Sequence, residues 1–256
     1  MLKRIFAIAH NTFRETLRDR ILWSVLVVML ALIFFSLFVG SISLGQDPRM
    51  IVDFGLTAVY LLQIFVAIFI GSMLIYKEVE RKTFFLIIPK PIRREEIILG
   101  KCLGLSATTV VVTTLTTLTL CGILFLRGIG GFYVPIILSV ALSVLESTIL
   151  ILVSILFSGL TSPILSAVYT IAFFLVGHSS AILRSLIELQ TSFFSEYALK
   201  AAYYILPNLE KFNIRNEVVY GTIPDGRGVV AAVLYALCYG VLLFLLARAM
   251  FSKKEF

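Results

Sequence analysis

The sequence predicts an all-α membrane protein with six transmembrane helices, and three observations carry that prediction. Hydrophobic residues make up 59% of the chain, only 14% are charged, and the mean hydropathy is +1.02, far from the balance of a soluble domain. Uncharged runs at Ile21–Leu44, Phe54–Tyr76, Cys102–Leu126, Pro163–Leu183 and Gly228–Ala247 each reach the roughly 20 residues a helix needs to cross a bilayer. Gly128–Leu145 is nearly long enough and continues past Glu146 to about Phe157, giving a sixth. The runs are continuous and do not alternate, so they read as helices, which satisfy their own backbone groups in lipid, and not as barrel strands.

The charges are unevenly placed. Lys3, Arg4, Arg14, Arg18 and Arg20 precede the first run, seven bases lie between the second and third, and Arg248, Lys253 and Lys254 follow the last. With six crossings these segments share one side and hold 15 of the 22 Lys and Arg, so the positive-inside bias places both termini in the cytoplasm. The net charge of +7 therefore reports topology and not nucleic-acid binding.

In chain order, residues 1–20 are amphipathic at helical spacing. Leu2, Ile5, Phe6, Ala9, Phe13 and Leu17 fall on one face, with Lys3, Arg4, Arg14, Glu15 and Arg18 on the other. Such an elbow helix can lie in the headgroup layer and turn into the first span near Arg20. Gly45–Asp53, with Asp47-Pro48, reads as a short turn. No cleavable signal is apparent, because the first apolar run is too long and begins only after about 20 residues.

Tyr76–Lys101 is a charged island between two apolar runs. Lys77, Arg81, Lys82, Lys90, Arg93, Arg94 and Lys101 are interleaved with Glu78, Glu80, Glu95 and Glu96, around an apolar patch from Phe84 to Ile88 closed by Pro89 and Pro91. A charged loop with an embedded hydrophobic knuckle suits docking by another protein; the plainer reading is a topological signal alone.

The third run carries a hydroxyl stripe, with Ser106, Thr109, Thr113, Thr116 and Thr117 on one helical face. This stripe can pack closely against a neighbouring helix or line a translocation path. Glu146 is the one acid deep in a span; burying it costs about 2.5–3.5 kcal/mol, so it reads either as a path or proton-handling residue or as a structural hydrogen bond. Ser162-Pro163 opens the fifth run. Residues 179–227 form the longest polar section, with amphipathic pieces before Pro207 whose aromatics suit the outer interface.

Several chemistries find no motif. Gly100-Lys101 is followed by Cys102 and lacks the earlier glycine of a P-loop. Gly177-His178-Ser179-Ser180-Ala181 resembles a nucleophile elbow only in outline, since no strand precedes it and its last position is Ala. His10 and His178 are too far apart to predict a zinc site, and Cys102, Cys121 and Cys238 read as small apolar side chains. No catalytic residue, cofactor or metal is expected in this chain.

Taken together, these features resemble the permease subunits of ABC-2 type ATP-binding-cassette transporters over essentially the full length, residues 1–256. Shared features are the elbow helix, six spans, a charged loop at 77–101 and an extended outer region before the sixth span. The family tends to show an acidic start, Gly-Thr, a leucine patch, a proline and a closing Gly-Lys in that loop. Glu78 and Glu80, Thr83, Leu86, Pro91 and Gly100-Lys101 correspond here, with Lys82 in place of the usual glycine. Leu206–Arg215 is also similar to a subgroup that includes copper-processing permeases of nitrous oxide reductase maturation, and no substrate is carried over from it.

The resemblance implies a multi-pass protein of a prokaryotic plasma (inner) membrane, working as an exporter with a second permease copy. Separate ABC ATPase subunits would bind ATP and Mg and dock on a cytoplasmic coupling loop. The coupling residues would be Glu78, Glu80, Thr83, Phe84, Phe85, Leu86, Pro91, Arg93 and Lys101, and the translocation path would include Thr109, Thr113, Thr116, Thr117 and Glu146. A non-transporting structural membrane component and an ion-coupled carrier using Glu146 remain open.

Overall fold

A computed structural model describes residues 2–42, 47–74, 93–180, 187, 207–222 and 226–252, and among them every regular element is helical. The elements are α1 (Leu2–Leu17), α2 (Arg20–Ile42), α3 (Asp47–Phe65), α4 (Arg94–Leu126), α5 (Tyr133–Ser158), α6 (Pro163–His178), a 3-10 turn (Leu209–Phe212), α7 (Arg215–Val219) and α8 (Gly226–Ser252). Among the described residues, five helices are long and apolar enough to cross a membrane: Arg20–Ile42, Asp47–Leu74, Glu95–Leu126, Tyr133–Ser158 and Gly226–Met250. With 16 residues, α6 rises only about 24 Å, short of the roughly 30 Å hydrocarbon thickness.

The start of α3 lies inside the stretch that reads as a loop. Asp47 and Pro48 form its first turn, where a carboxylate meets the positive helix end and a proline lacks an N–H that would have no partner anyway. Further along, Val66–Ile70 is a π turn, and the helix continues to Leu74. α4 likewise begins at Arg94, eight residues before its apolar run, because Glu95 and Glu96 suit the first turn and Glu96 Oε2 accepts the Arg93 N–H at 3.4 Å. Its far end is a Schellman cap: Gly128 has φ 67°, its N–H donates to Phe125 O (3.0 Å), and Ile129 N–H donates to Leu124 O (2.9 Å). That turn, with Gly131 at φ 90°, moves the start of α5 from Gly128 to Tyr133.

α3 and α5 are the inner helices, each with 67% of its most apolar window buried, whereas α2 and α8 reach only 22% and 17% and present apolar residues outward. A Cβ on Gly40 would meet Ile51, one on Gly55 would meet Leu120, and one on Gly71 would meet Ser154 and Leu105. Those contacts make α2 and α4 antiparallel to α3, with α5 parallel to it. Ser158 Oγ donates to Ser72 O (2.7 Å), and Ser166 Oγ lies within reach of Ser72 Oγ (3.2 Å) and Ser154 O (3.1 Å), joining α3, α5 and α6.

α1 docks lengthwise on the first turns of α4, running in the same direction. Its buried residues are Ile5, Thr12 and Thr16, while Leu2 and Phe6 of the predicted apolar face stay exposed. The cause lies on α4: a Cβ on Gly100 would meet Ile8 at 2.7 Å, and one on Gly104 would meet Ala9 O at 2.5 Å. The glycine ridge draws the small-residue side of α1 inward, and Thr16 satisfies its hydroxyl on Thr12 O (2.8 Å). An apolar groove of about 540 Å³ is left beside this contact, lined by Leu2, Phe6, Phe13, Leu103 and Ala107. Trp23 Nε1 donates to Leu17 O (2.7 Å) and Asp19 Oδ1 accepts the Ile21 N–H (2.9 Å), fixing the bend into α2.

Candidate functional site

Glu146 sits midway along α5, 1% exposed, facing α3. The parallel register of the two helices brings Tyr60 to it, and the Tyr60 hydroxyl donates to Glu146 Oε1 at 2.7 Å. His178, in the last turn of α6, adds its ring: Nε2 lies 3.1 Å from the Tyr60 hydroxyl and 3.6 Å from Glu146 Oε1, while Nδ1 lies 3.2 Å from Phe174 O. A polar triad is thus built from three separate helices inside an apolar bundle.

Residues 207–219 cover it. Leu209 packs onto Gly177, where a Cβ would meet the leucine at 2.6 Å, and Leu209, Phe212 and Val218 are buried. Tyr235 of α8 accepts the Asn208 N–H at 2.8 Å and lies under the Lys211 ammonium, 4.4 Å from its ring centre. So anchored, the segment turns its polar side chains onto the triad. Glu210 Oε2 approaches His178 Nε2 to 3.9 Å, and the Arg215 guanidinium stacks over the Tyr60 ring at 3.8 Å. Asn213 bridges them, donating to Glu210 Oε1 (2.9 Å) and accepting from Arg215 Nε (3.0 Å).

Polar character continues deeper. Gln63, one turn beyond Tyr60, is fully buried with neither amide atom hydrogen-bonded, and the Oγ atoms of Ser106, Thr113 and Thr117 and Oε2 of Glu146 also lack partners among the described residues. Gly55 against Leu120 and Gly71 against Leu105 fix the α3–α4 register, which puts Gln63 at the depth of Thr113. In a bilayer such atoms call for water, a ligand or another chain.

Of the predicted path residues, Thr109, Thr113, Thr116 and Thr117 are all buried, and Thr109 and Thr116 return their hydroxyls to their own helix at Leu105 O and Val112 O, 3.0 Å each. Glu146 is the one drawn into the triad. Among the predicted coupling residues, Arg93 is exposed at the start of α4, whereas Lys101 is 2% exposed and donates to Leu74 O at 3.0 Å. Glu78, Glu80, Thr83, Phe84, Phe85, Leu86 and Pro91 lie outside the described residues.

Tyr60, His178, Glu210, Asn213 and Arg215 were not predicted as site residues. Their signal in the sequence is faint: one tyrosine among many in apolar runs, a histidine closing such a run, and a polar decapeptide whose partner is distant in the chain. No group of three or more His, Cys, Asp and Glu among the described residues is placed to hold a metal ion. No protein-family model matches the chain, and no curated protein is similar enough to count as a relative.

Proposed function

We propose that this chain is the transmembrane permease subunit of an ATP-driven transporter of the ABC-2 type, working as an exporter. Six crossings, α6 among them, place both termini and the charged stretch in the cytoplasm and residues 207–222 outside. A second permease copy completes the path, and separate ATPase subunits bind ATP and Mg and dock on the charged stretch.

One observation supports this reading above the others. Lys101 donates to Leu74 O across the charged stretch, and α1 is seated on Gly100 and Gly104 directly beside it. Leu74, just before the stretch, and Lys101, at its close, are held together, and a partner gripping the stretch would move α3, α4 and α1 as one body. Lys101 acts here as an internal strut, and Arg93 as a surface contact.

The Glu146–Tyr60–His178 triad favours a second reading, an ion-coupled carrier, because acid–histidine chains buried in membranes recur in proton-driven transporters. Purifying the tagged chain in mild detergent from its own cells separates the two. An ATP-hydrolysing subunit co-purifying in stoichiometric amount is the expected result; a chain that purifies alone, with no associated ATPase activity, overturns the permease reading.

A further inference from the structure

The triad sets a hydrogen count. Phe174 O can only accept, so His178 Nδ1, 3.2 Å away, carries a hydrogen. Between Glu146 Oε1 and His178 Nε2 stands the Tyr60 oxygen, with gaps of 2.7 Å and 3.1 Å. Each gap is a hydrogen bond and needs one hydrogen between its heavy atoms. Tyr60 owns one hydroxyl hydrogen and fills one gap. The second hydrogen must sit on Glu146, as the carboxylic acid, or on Nε2, as the imidazolium. Without it two buried lone pairs face each other across one of the gaps.

We propose that Glu146, Tyr60 and His178 together bind one exchangeable proton, taken up from the exterior past Glu210. The shared proton goes beyond the permease reading and holds whichever energy source drives the protein, while the exterior as its source rests on the topology of that reading. In one arrangement the Glu146 carboxyl donates to the Tyr60 oxygen and Tyr60 donates to Nε2. In the other, Glu146 is a carboxylate accepting from Tyr60, and Nε2–H donates to the Tyr60 oxygen. Passing between them breaks the Glu146 O–H bond and forms one at Tyr60, as the Tyr60 hydrogen moves to Nε2. The total charge is unchanged, and Nδ1–H stays on Phe174.

Among the described residues of the triad and its cover, exposure rises in one direction. Glu146 is 1% exposed, whereas the His178 and Glu210 side chains are 19% and 40% exposed. Glu210 stabilises the imidazolium that faces it, and Arg215 over Tyr60 opposes it. Among the described residues, the other ionisable groups toward this end include Tyr235 and Tyr239 of α8, Lys211, Glu217 of α7, Tyr220, and Asp47, Arg49 and Asp53 in the first turns of α3. α4 brings no charge between Lys101 and Arg127, and α5 and α6 bring none besides Glu146 and His178. Because Glu210 and Arg215 are joined through Asn213, the position of the proton is felt by the covering segment.

The chain has only two histidines, so a His10→Gln background leaves one imidazole to follow by ¹⁵N NMR on the purified full chain. The carboxylic-acid stretch is followed in parallel by infrared difference spectroscopy across a pH titration. Imidazolium and acid signals are expected to disappear together at one midpoint. In Glu146→Gln the amide supplies the missing hydrogen, so the acid band is lost and the proton affinity of His178 falls about tenfold or more. Tyr60→Phe keeps the ring under Arg215 but removes the bridge, and should split the shared midpoint into two. Should Glu146→Gln fail to fold, Tyr60→Phe decides alone. Separate midpoints in the parent protein, a midpoint unmoved in Glu146→Gln, or no splitting in Tyr60→Phe overturns the proposal.

Discussion

Glu146 is the side chain on which the interior of the bundle turns, and its chemistry is only half used by its neighbours. Oε1 accepts from Tyr60, while Oε2 lacks a partner among the described residues. Glu146→Gln keeps a hydrogen-bond partner for Tyr60 and nearly the same volume, so the protein should still insert and assemble. Losing a charged hydrogen-bonding group is worth about 1.5–3 kcal/mol, so transport measured in vesicles should fall at least about tenfold. Glu146→Leu should fail likewise, and normal transport by that variant would remove Glu146 from any functional part. The sequence marks Glu146, because one acid in an apolar run is conspicuous on its own. It does not mark Tyr60 or His178, whose meaning depends on the register of α3 against α5 and on where α6 ends.

At the scale of elements, periodicity located the apolar helices well and their polar ends poorly. Asp47-Pro48 and Arg94-Glu95-Glu96 read as loop by hydropathy, yet in the structure both open helices, which capping chemistry explains. α1 carries the other lesson. Its apolar stripe is plain in the sequence, yet the face it buries is selected by Gly100 and Gly104, a small-xxx-small spacing that straddles the end of the stretch read as a loop. Replacing Gly104 by Leu puts a side chain where Ala9 O and Thr12 now sit, 2.5 Å and 2.7 Å from the new Cβ. Overpacking of this kind costs about 1–3 kcal/mol. Gly104→Leu should therefore lower the melting temperature in detergent and expose a Thr12→Cys probe to a water-soluble thiol reagent. An unchanged melt with Thr12→Cys still protected would mean that α1 is not held by this ridge.

For the whole molecule, the all-helical, membrane-spanning character was legible because composition and run length alone decide it. The covering of the triad by residues 207–219 was not, since Leu209 finds Gly177 and Arg215 finds Tyr60 only in three dimensions. The account as a whole rests on the charged stretch being a handle for an ATPase. If the stretch only orients the chain, its count of Lys and Arg is what matters. A docked partner makes its apolar knuckle matter as well, and truncating a large contact residue at an interface hot spot costs about 2 kcal/mol or more, roughly thirtyfold in affinity. The most direct test is ATPase co-purification with Phe84→Ala, Phe85→Ala and Leu86→Ala, each of which leaves every charge in place. Topology is read in the same cells by reporter fusions after Arg94, Asn208 and Phe256. The account predicts unchanged topology, with Arg94 and Phe256 inside and Asn208 outside, and loss of the ATPase from at least one variant; full ATPase recovery with all three, or an externally active fusion after Arg94, would contradict it.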